Sequence, residues 1–522
     1  MDTVDYAVVG AGCGGVYAAW RLSEDRPSAS VRVLEASDRV GGRLESLVPP
    51  GAPHLRAEFG GMGFDTNHLL VEAVVDALSL PTAPFPSSAP AYAWLRGVPL
   101  LGDQLTDASA IPYHLPADEQ GQSFAQLLAS RVNDDLGIDV GTMTHADWLE
   151  VGTRKRVLGT ALRDIGFWNY LATILTAEGF AFVQDTMGHD FPVENFNALD
   201  MLEWFFADFA PGTTDTTLAG GYDQLPIAIA QRFEAAGGQL ALDAEVTRVT
   251  RAPDGRFRLA LRDGSELSAR TVILALPRRA IELIAPGSVV LDTASMRLLL
   301  ATVVPIPVMK LFLAYDRPWW TDAGVAQVWG HSVSTLPLRT TYYFGEEASA
   351  PGGEPANHNS LLMASYTDSA QLSYWEGLRQ GPAFTPRTNP HTDTTPGSPA
   401  WHDQRATASM VEAATRQLWQ LHQRDPSEVP APYAAAFKDW GDDPYGGAMH
   451  AWAIGADSDT AMAAALQPDP SVPLYVCGEA FSRFQGWVEG AFDTAETVLQ
   501  QRLGVAPPAF APSWQPPSGG RH

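Results

Sequence analysis

The stretch that decides the fold is DYAVVGAGCGG, residues 5–15, in which a short apolar run leads into closely spaced glycines. A helix-forming segment, VYAAWRL (16–22), follows at once, and a second apolar run, VRVL (31–34), ends at Glu35. Strand, G-x-G-x-x-G turn, helix, strand and acidic residue in this order predict a βαβ unit that binds a dinucleotide. The competing interpretation is a glycine-rich turn that binds nothing.

Each residue of this unit has a physical role in a dinucleotide site. Gly10 permits the tight turn, Gly12 lets the backbone approach a pyrophosphate, and Gly15 lets the helix pack closely on the strand. The helix N-terminus presents free N–H groups to the phosphates. The Glu35 carboxylate is suited to accept hydrogen bonds from ribose hydroxyls, so these four residues are predicted cofactor contacts.

The next segment, ASDRVGGR (36–43), favours FAD over NAD as the dinucleotide. A second glycine pair beside two arginines brings backbone N–H groups and positive charge towards the same pyrophosphate. The R-x-G-G-R pattern is similar to that of the two-glycine-motif flavoproteins, which implies bound FAD in contact with Ala36 and Arg43.

The composition excludes several classes of protein. The chain has 522 residues, 45% of them apolar and 18% charged, which suits about two or three folded domains. Its formal charge of 34 − 60 = −26 argues against nucleic acid or an anionic membrane as a partner, because both need clustered Lys and Arg. Cys13 and Cys477 have no disulfide or metal spacing, so no metal site is expected. The chain has neither a signal-peptide pattern nor a membrane-spanning apolar stretch, so we expect a cytoplasmic protein.

Strand patterns return after a long helical region, which predicts an α/β fold with interleaved domains. Helical periodicity dominates from about residue 100 to 215, and the strand runs TVILAL (271–276) and LYVC (474–477) then extend the first domain. We predict a Rossmann-type, two-glycine-motif FAD-binding domain that is interleaved with an α+β substrate domain and a helical insertion. The predicted boundaries are 1–70, 216–282 and 465–505 for the FAD-binding domain, 71–99 and 283–464 for the substrate domain, 100–215 for the insertion and 506–522 for a disordered tail.

Motifs spread over nearly the whole chain resemble those of the flavin-containing amine oxidases, and within them the L-amino-acid oxidases. They are the opening unit, RAEFGGM (56–62), GGY (220–222), Lys310 and the closing segment GEAFSRFQGWVEGA (478–491). The resemblance implies further FAD contacts from Gly60, Gly61, Met62, Val246, Gly478, Glu479, Gly486, Trp487 and Val488.

The closing segment fits this role chemically. Glu479 follows a predicted strand, at a place where the family has an acid near the phosphate and ribityl groups of FAD. A helix that begins after Gly486 would aim its positive N-terminal end at the flavin and stabilise negative charge on the reduced ring. The resemblance makes Trp487 a catalytic residue at the flavin face and one wall of the substrate pocket. The alternative is a buried core aromatic.

Lys310 interrupts the apolar run VMKLFL (308–313), where a charge is costly without a partner. In the family a lysine in this place holds a water against flavin N5 and assists reoxidation by O2, so the resemblance makes Lys310 a catalytic candidate. The alternative is an edge-strand lysine whose ammonium reaches solvent.

The segment WGDDPYGGA (440–448) also resembles the family. Where monoamine oxidases have a flavin-linked cysteine after the glycine pair, this chain has Ala448, so the resemblance implies non-covalent FAD. Trp452 is a second candidate for an aromatic catalytic wall beside Trp487, and core packing is its alternative.

One position departs from the L-amino-acid oxidases. They typically place an arginine that clamps the substrate α-carboxylate directly after G-[AG]-M, whereas this chain has Gly63. Either another group in the substrate pocket, such as Arg339, takes the carboxylate, or the substrate has none. Gly63 would also open space in the pocket for a bulkier substrate.

The resemblance implies an FAD-dependent oxidase that takes hydride from the α-carbon of an L-amino acid or a related amine onto flavin N5. The imine then hydrolyses to a carbonyl compound and ammonia, and O2 becomes H2O2. One alternative changes the reaction to that of a monooxygenase that forms an amide, or of a desaturase. Another is a flavoprotein that only senses a ligand. The expected partners are a small amine or amino acid and O2, and a homodimer is compatible with the resemblance.

Overall fold

The structure is a computed structural model that describes residues 2–85, 90, 92–208, 214–323, 329–512 and 514–516. Its helices are α1 (Cys13–Asp25), α2 (Leu69–Ala77), α3 (Phe124–Leu136), α4 (His145–Arg154), α5 (Phe167–Ile174), α6 (Ala177–Met187), α7 (Ala198–Asp208), α8 (Gln224–Ala235), α9 (Arg278–Ile284), α10 (Ala294–Leu300), α11 (Leu372–Glu376), α12 (Pro399–Asp403), α13 (Ala408–Leu421), α14 (Ser458–Leu466) and α15 (Val488–Gln501). Its strands are β1 (Asp2–Val9), β2 (Val31–Leu34), β3 (Ser46–Leu47), β4 (Ala57–Glu58), β5 (Phe64–Asp65), β6 (Thr82–Pro84), β7 (Tyr92–Leu95), β8 (Val98–Leu101), β9 (Arg156–Val157), β10 (Thr160–Ala161), β11 (Asp215–Leu218), β12 (Gln239–Ala241), β13 (Val246–Arg251), β14 (Phe257–Leu261), β15 (Glu266–Ala275), β16 (Val303–Ile306), β17 (Val308–Tyr315), β18 (Trp329–Ser334), β19 (Thr340–Glu346), β20 (Ser360–Asp368), β21 (Ala434–Asp439), β22 (Met449–Trp452) and β23 (Leu474–Cys477).

The first sheet contains strands from three separate parts of the chain. Their order is β12-β2-β1-β15-β14-β13, and β23 pairs with β15. β1 runs parallel to both β2 and β15, with Val8 opposite Val33 on one side and Ile273 on the other. Apolar clusters cover both faces of these strands, and α1 and α15 pack on one face around Tyr17 and Phe492. The α/β, Rossmann-type organisation predicted from the sequence is confirmed.

The second sheet forms the core of the other domain. Its order is β21-β17-β20-β19-β18-β7-β8, antiparallel except where β18 runs parallel to β7. Leu311 packs in one apolar cluster with Trp320, and Phe312 packs in another with Tyr433. Because both faces are covered, β17 is buried along its whole length, which explains its almost continuous apolar sequence.

The region between β8 and β11 is largely helical. α3 to α7 enclose their own apolar core, which includes Leu127, Trp148, Tyr170 and Phe205. The same core continues into the second sheet through Val333, so the insertion is attached to that sheet. None of the described helices is both long and apolar enough to cross a membrane.

Several predicted domain boundaries differ from the structure. α2 falls in the range predicted for the substrate domain, but its Val71 and Val74 belong to the apolar core of α1 and α15. β8 extends to Leu101 and joins the second sheet beyond the predicted end of that segment. α10 and α14, also predicted in the substrate domain, pack against the first sheet through Met296 and Ala461. An amphipathic helix shows in its sequence that one face is buried, but not which sheet covers it.

The C-terminal tail is packed where the structure describes it, although its Pro and Gly content predicts disorder. Phe510 stacks on Trp20 with ring centroids 5.3 Å apart, and Trp514 is buried in the same core. Phe510, Ala511 and Trp514 therefore pack against the core of the first domain, while several residues around them in the tail are exposed. Residue 513 and residues 517–522 of the predicted disordered tail lie outside the described residues.

Candidate functional site

A large cavity lies between the first sheet, the second sheet and the helical insertion. Its volume is about 1400 Å³, above the roughly 300–1,000 Å³ of typical small-molecule sites. One end is lined by the turns after β1, β2 and β15, and the other by side chains of α6, α7, β19 and β20. The cavity therefore has room for a large group at the sheet end and a second, smaller molecule beyond it.

The turn after β1 brings backbone to the cavity with no side chain in the way. Gly10 has a φ of +100°, and a Cβ on it would come within 2.6 Å of the Ala275 carbonyl oxygen. A Cβ on Gly15 would come within 2.0 Å of the Gly10 oxygen, so α1 can start this close to β1 only with glycine. Gly12 precedes α1 without a side-chain cap and lines the cavity with Gly10. The N-terminus of α1 thus faces the cavity in an orientation that suits an anionic group.

Glu35 is held at the end of β2 by hydrogen bonds from the chain. Its Oε2 accepts from the Ala11 N–H at 2.7 Å, and its Oε1 accepts from the N–H and the hydroxyl of Ser37 at 2.9 and 2.8 Å. A carboxylate oxygen can accept two hydrogen bonds, and Oε2 of Glu35 accepts one, so the group can still bind a hydroxyl in the cavity. Ala36 and Val246 line the same end of the cavity.

An ion pair between the partly buried Arg43 and the buried Glu479 joins the segment after β2 to the segment after β23. Arg43 donates to the Glu479 carboxylate and, at 2.9 Å, to the carbonyl of Ala448. Glu479 also accepts from the Gly486 N–H at 3.0 Å and lies 2.7 Å from Nδ1 of His450. Burial alone would raise the pKa of Glu479, but Arg43 and His450 hold it well below its usual range. The carboxylate therefore stays ionised at the cavity wall, where Gly478 also lies.

The start of α15 also lies at the cavity. Trp487 precedes the helix, makes no side-chain cap and lines the cavity together with Gly486 and Val488. Its ring packs against the ring of His68, with centroids 4.7 Å apart. Burial lowers the pKa of His68 to about 4, so this neighbour is uncharged at neutral pH. Trp487 is therefore part of the cavity wall and rests on a neutral, buried ring.

Lys310 lies behind the stretch of cavity wall that Gly60, Gly61 and Met62 form. It is 2% exposed, and its Nζ donates to the carbonyls of Gly60 and Glu58 at 2.5 and 3.0 Å. Burial lowers the pKa of its ammonium to about 7. β17 lies between β20 and β21, so the alternative of an edge-strand lysine that reaches solvent is wrong. The side chain does not itself line the cavity.

A row of aromatic rings forms the far end of the cavity, and reasoning from the sequence missed it. Neighbouring rings in the row have centroids 4.6 to 6.4 Å apart. The residues come from separate parts of the chain, so no motif connects them. The sequence signal was the aromatic segment TTYYF (340–344), which does not show which ring faces the cavity. We call this row the aromatic wall, and it consists of Phe85, Tyr342, Tyr366, His189, Phe191 and Trp204.

Trp452 does not line this cavity, and its prediction as a second catalytic aromatic is wrong. It is 4% exposed and packs in the core of the first sheet, with its ring centroid 6.5 Å from that of Phe481. Met449 of the same strand lines the cavity. Because side chains alternate along a strand, Trp452, three residues later, lies on the opposite face. Trp452 is therefore a core residue, as the alternative interpretation predicts.

Arg339 is not available as a carboxylate clamp. It is 3% exposed and forms ion pairs with Asp190 at 3.0 Å and Asp185 at 3.6 Å. It also donates to the carbonyls of Ser334 and Gln184 at 3.0 and 2.8 Å. The tight turn between β18 and β19 directs its side chain into the insertion, outside the cavity lining, so this predicted substrate contact is wrong.

Gly63 lines the cavity, but it does not open space there as predicted. A Cβ on it would come within 2.5 Å of the carbonyl oxygen of Thr216. β11 approaches because Thr216 pairs with Phe64, and the hydroxyl of Thr217 donates to the carbonyl of Met62 at 2.7 Å. Glycine at this position therefore permits a close approach of two strands and leaves no room for an arginine side chain.

The model of the family described as flavin containing amine oxidoreductase matches residues 13–500, which is most of the chain. The chain belongs to this family. Aplysianin-A from Aplysia kurodai is 24% identical, with 96% of this chain and 90% of that protein covered, and achacin from Lissachatina fulica is 25% identical, with 96% and 93% covered. L-amino-acid oxidase 4 from Hebeloma cylindrosporum is 22% identical, with 97% and 83% covered. A putrescine oxidase with redesigned cofactor binding has a TM-score of 0.66 at 17% identity, with 97% and 100% covered, which shows the fold alone.

This amine oxidoreductase has a cavity whose residues fit a flavin cofactor. Tyr222 lines the cavity, and its hydroxyl is buried and makes no hydrogen bond to a described residue. A buried hydroxyl without a partner costs about 1–3 kcal/mol, and a bound group that accepts from it would remove that cost. No group of His, Cys, Asp and Glu side chains in the described part of the chain is arranged to hold a metal ion. The open glycine turn, the start of α1 and the Tyr222 hydroxyl together suit a large polar cofactor.

Proposed function

We propose that the protein is an FAD-dependent oxidase that deaminates an L-amino acid or a closely related amine. The observation that carries the proposal is the continuity of the cavity, which runs from Glu35 and the glycine turn to Trp487 and the aromatic wall. A dinucleotide with its ribose at Glu35 would extend towards Trp487 and meet a molecule bound at the aromatic wall. The family and its L-amino-acid oxidase relative support the same class of reaction.

The length of the cofactor end favours FAD over a mononucleotide. Gly10, Gly12 and the start of α1 suit a pyrophosphate, and Glu35 suits the ribose of an adenosine. A mononucleotide with its flavin ring near Trp487 would be too short to fill the part of the cavity beside Glu35. Apoprotein should therefore regain colour with FAD and bind FMN much more weakly, which titration by flavin fluorescence measures.

Bound FAD would supply an acceptor for hydride from the carbon that bears the amine and would pass the electrons on to O2. The contribution of the chain is orientation and electrostatics. With FAD bound, the start of α15 would present its positive end to the flavin and stabilise negative charge there. The ion pair of Arg43 with Glu479 holds the segment that precedes this helix. The Trp487 ring and the aromatic wall position the neutral amine and exclude water, so no strong base is required.

Lys310 is proposed to act from behind Gly60. When Lys310 is protonated, two of its three N–H donors are used by the Gly60 and Glu58 carbonyls, and we propose that the third donates to a water molecule against the flavin. Lys310→Met should slow reoxidation by O2 while reduction by an amine stays within about twofold, as stopped-flow absorbance measures. Lys438→Met is the matched control, because Lys438 pairs with Lys310 in the sheet but faces Glu45. Equal losses in both half-reactions would contradict this role.

The cofactor is proposed to be non-covalent. Ala448 lines the cavity and offers no nucleophile. Cys13 lines it too, but burial raises the pKa of its thiol to about 12, and the same holds for the buried Cys477. Acid denaturation should therefore release all the yellow colour into the supernatant, whereas colour that stays with the precipitate would contradict non-covalent binding.

Product analysis tests the reaction. An oxidase converts the amine into a carbonyl compound and ammonia and forms H2O2 in equal amount. An amide product would indicate a monooxygenase instead of an oxidase. An alkene product would indicate a desaturase. If no amine or amino acid reduces the bound FAD, the remaining alternative is a flavoprotein that only senses a ligand.

A further inference from the structure

We propose that the substrate is an amine that carries a large apolar group and no free carboxylate. This inference rests on the proposed oxidase function and narrows its substrate class. It follows from the surface that the insertion presents to the cavity, from two facing carboxylates, and from the pairing of the basic side chains that line it.

The insertion lines the substrate end of the cavity with apolar side chains. Phe124 begins α3, Phe182 and Met187 lie in α6, and all three face the cavity. The aromatic wall continues this surface through Phe191 and Trp204, whose rings are 5.6 Å apart in an edge-to-face contact. Removing such a surface from water favours a ligand with a large apolar group over a small polar amine.

Two carboxylates face each other at the same cavity. Asp65 of β5 and Asp215 of β11 are directly paired in the sheet, and both line the cavity. Residues directly opposite in an antiparallel pair share one face, where like charges repel. His68 lies beside Asp65, with Nε2 3.6 Å from Oδ2, but it is neutral because burial lowers its pKa to about 4. A substrate carboxylate would add to the repulsion, whereas a neutral amine would not.

The arginines that line the cavity in the described part of the chain are already paired. Arg43 forms an ion pair with Glu479, and Arg262 forms one with Glu245 at the sheet end of the cavity. Position 63, where the resemblance places an arginine clamp, is closed by the strand beside it. The charges at the substrate end are therefore those of the two aspartates, and they disfavour a substrate that carries a carboxylate.

The histidines at this end are also engaged by neighbouring groups. Nδ1 of His189 lies 2.9 Å from the carboxylate of Asp368, and its ring packs edge-on against Tyr366. His331 stacks on Tyr342, with ring centroids 5.3 Å apart. His331 therefore extends the aromatic wall, of which His189 is already part, and this surface suits the apolar part of the substrate.

Three compounds that share one apolar group test the charge requirement on the FAD-loaded enzyme. They are 2-phenylethylamine, L-phenylalanine and L-phenylalaninamide, which differ in whether a carboxylate is present. We expect kcat/KM for the amine and for the amide to exceed that for L-phenylalanine by about tenfold or more, because Asp65 and Asp215 would repel its carboxylate. Oxidation of L-phenylalanine as efficiently as of the other two would overturn the inference and leave the oxidase function intact.

Asp215→Asn tests the source of the selection. Removing this carboxylate should reduce the preference for 2-phenylethylamine over L-phenylalanine severalfold. Asp134→Asn is the matched control, because Asp134 is an exposed carboxylate on α3 that does not line the cavity, and it should leave the ratio unchanged. An unchanged ratio in Asp215→Asn would contradict the role of the facing carboxylates.

Phe124→Ala tests the apolar surface. It should lower kcat/KM for 2-phenylethylamine about tenfold more than for ethylamine, which is too short to reach the insertion. Phe180→Ala is the matched control, because Phe180 lies in the insertion but stacks on Trp168 instead of lining the cavity. Equal losses for long and short amines would overturn this part of the inference. Bound FAD that none of these compounds reduces would contradict the proposed function, and the inference with it.

Discussion

The two ends of the cavity are built in different ways. The sheet end is made by backbone turns that directly follow β1, β2 and β23, and glycines within those turns set its geometry. The substrate end is made by side chains from the insertion and the second sheet that meet only in the folded chain. A site built from local backbone geometry leaves a pattern in the sequence, whereas a site assembled from distant side chains does not.

The largest effect that tests this comparison is expected for Gly15→Ala. Its Cβ would meet the Gly10 oxygen at 2.0 Å, so the free energy of unfolding should fall by about 3 kcal/mol or more and the protein should retain no FAD. Gly12→Ala is the matched variant, because its φ of −71° suits any residue and the nearest atom to its Cβ is 3.8 Å away. Apoprotein stability should change by no more than about 1 kcal/mol, while FAD binds on the order of tenfold more weakly. Unchanged FAD affinity in Gly12→Ala would show that no cofactor approaches this turn.

Loss of the ion pair between Arg43 and Glu479 should have the next largest effect on stability. Glu479→Gln leaves Arg43 and His450 without their carboxylate and should lower the free energy of unfolding by about 2–5 kcal/mol at pH 7. Because the folded state holds the pKa of Glu479 below its usual range, this stabilisation is present above an ordinary glutamate pKa of about 4.3 and decreases as the pH falls below that value. Urea unfolding of wild type and variant measures the change. It is carried out at about pH 7 and about pH 3.5, which lie on either side of the ordinary glutamate pKa of about 4.3. A difference between wild type and variant that does not shrink in acid would contradict this account.

Gly63 sharpens the comparison from the substrate end. Gly63→Ala should lower the free energy of unfolding by about 1–3 kcal/mol, because its Cβ meets a strand carbonyl. Gly141→Ala should be nearly neutral, since the closest atom to its Cβ is a side-chain oxygen 3.4 Å away. Thermal unfolding compares the two. A stable Gly63→Arg variant that gains activity on free L-amino acids would show that the position can hold a clamp.

The smallest effect on activity is expected at Trp452. Trp452→Phe should leave kcat/KM within about twofold of wild type, because the ring packs in the core of the first sheet. Trp487→Phe changes the cavity wall and should lower kcat/KM by more. Equal losses in the two variants would support Trp452 as a second catalytic aromatic residue beside Trp487.

The sequence indicated Gly10 and Gly15 because they act through the backbone of their own turn, and it indicated Glu35 because this residue directly follows β2. Their contacts with a cofactor stay predictions. Trp452 could not be placed in this way, because the face it occupies depends on how β22 pairs with β16. Arg339 carries the charge that a clamp needs, but the insertion supplies partners for it that no nearby sequence reveals. The order of helices and strands could thus be predicted from the sequence, whereas the contacts between side chains distant in sequence could not.

The central claim is that an FAD held along the sheet end meets an amine at the aromatic wall. Anaerobic mixing of the FAD-loaded protein with 2-phenylethylamine tests it most directly. We predict that the yellow colour bleaches, and that admitting air restores it with H2O2 in an amount equal to the amine consumed. A protein that stays colourless after incubation with FAD, or one whose bound FAD stays yellow with every amine and amino acid supplied, would contradict the claim.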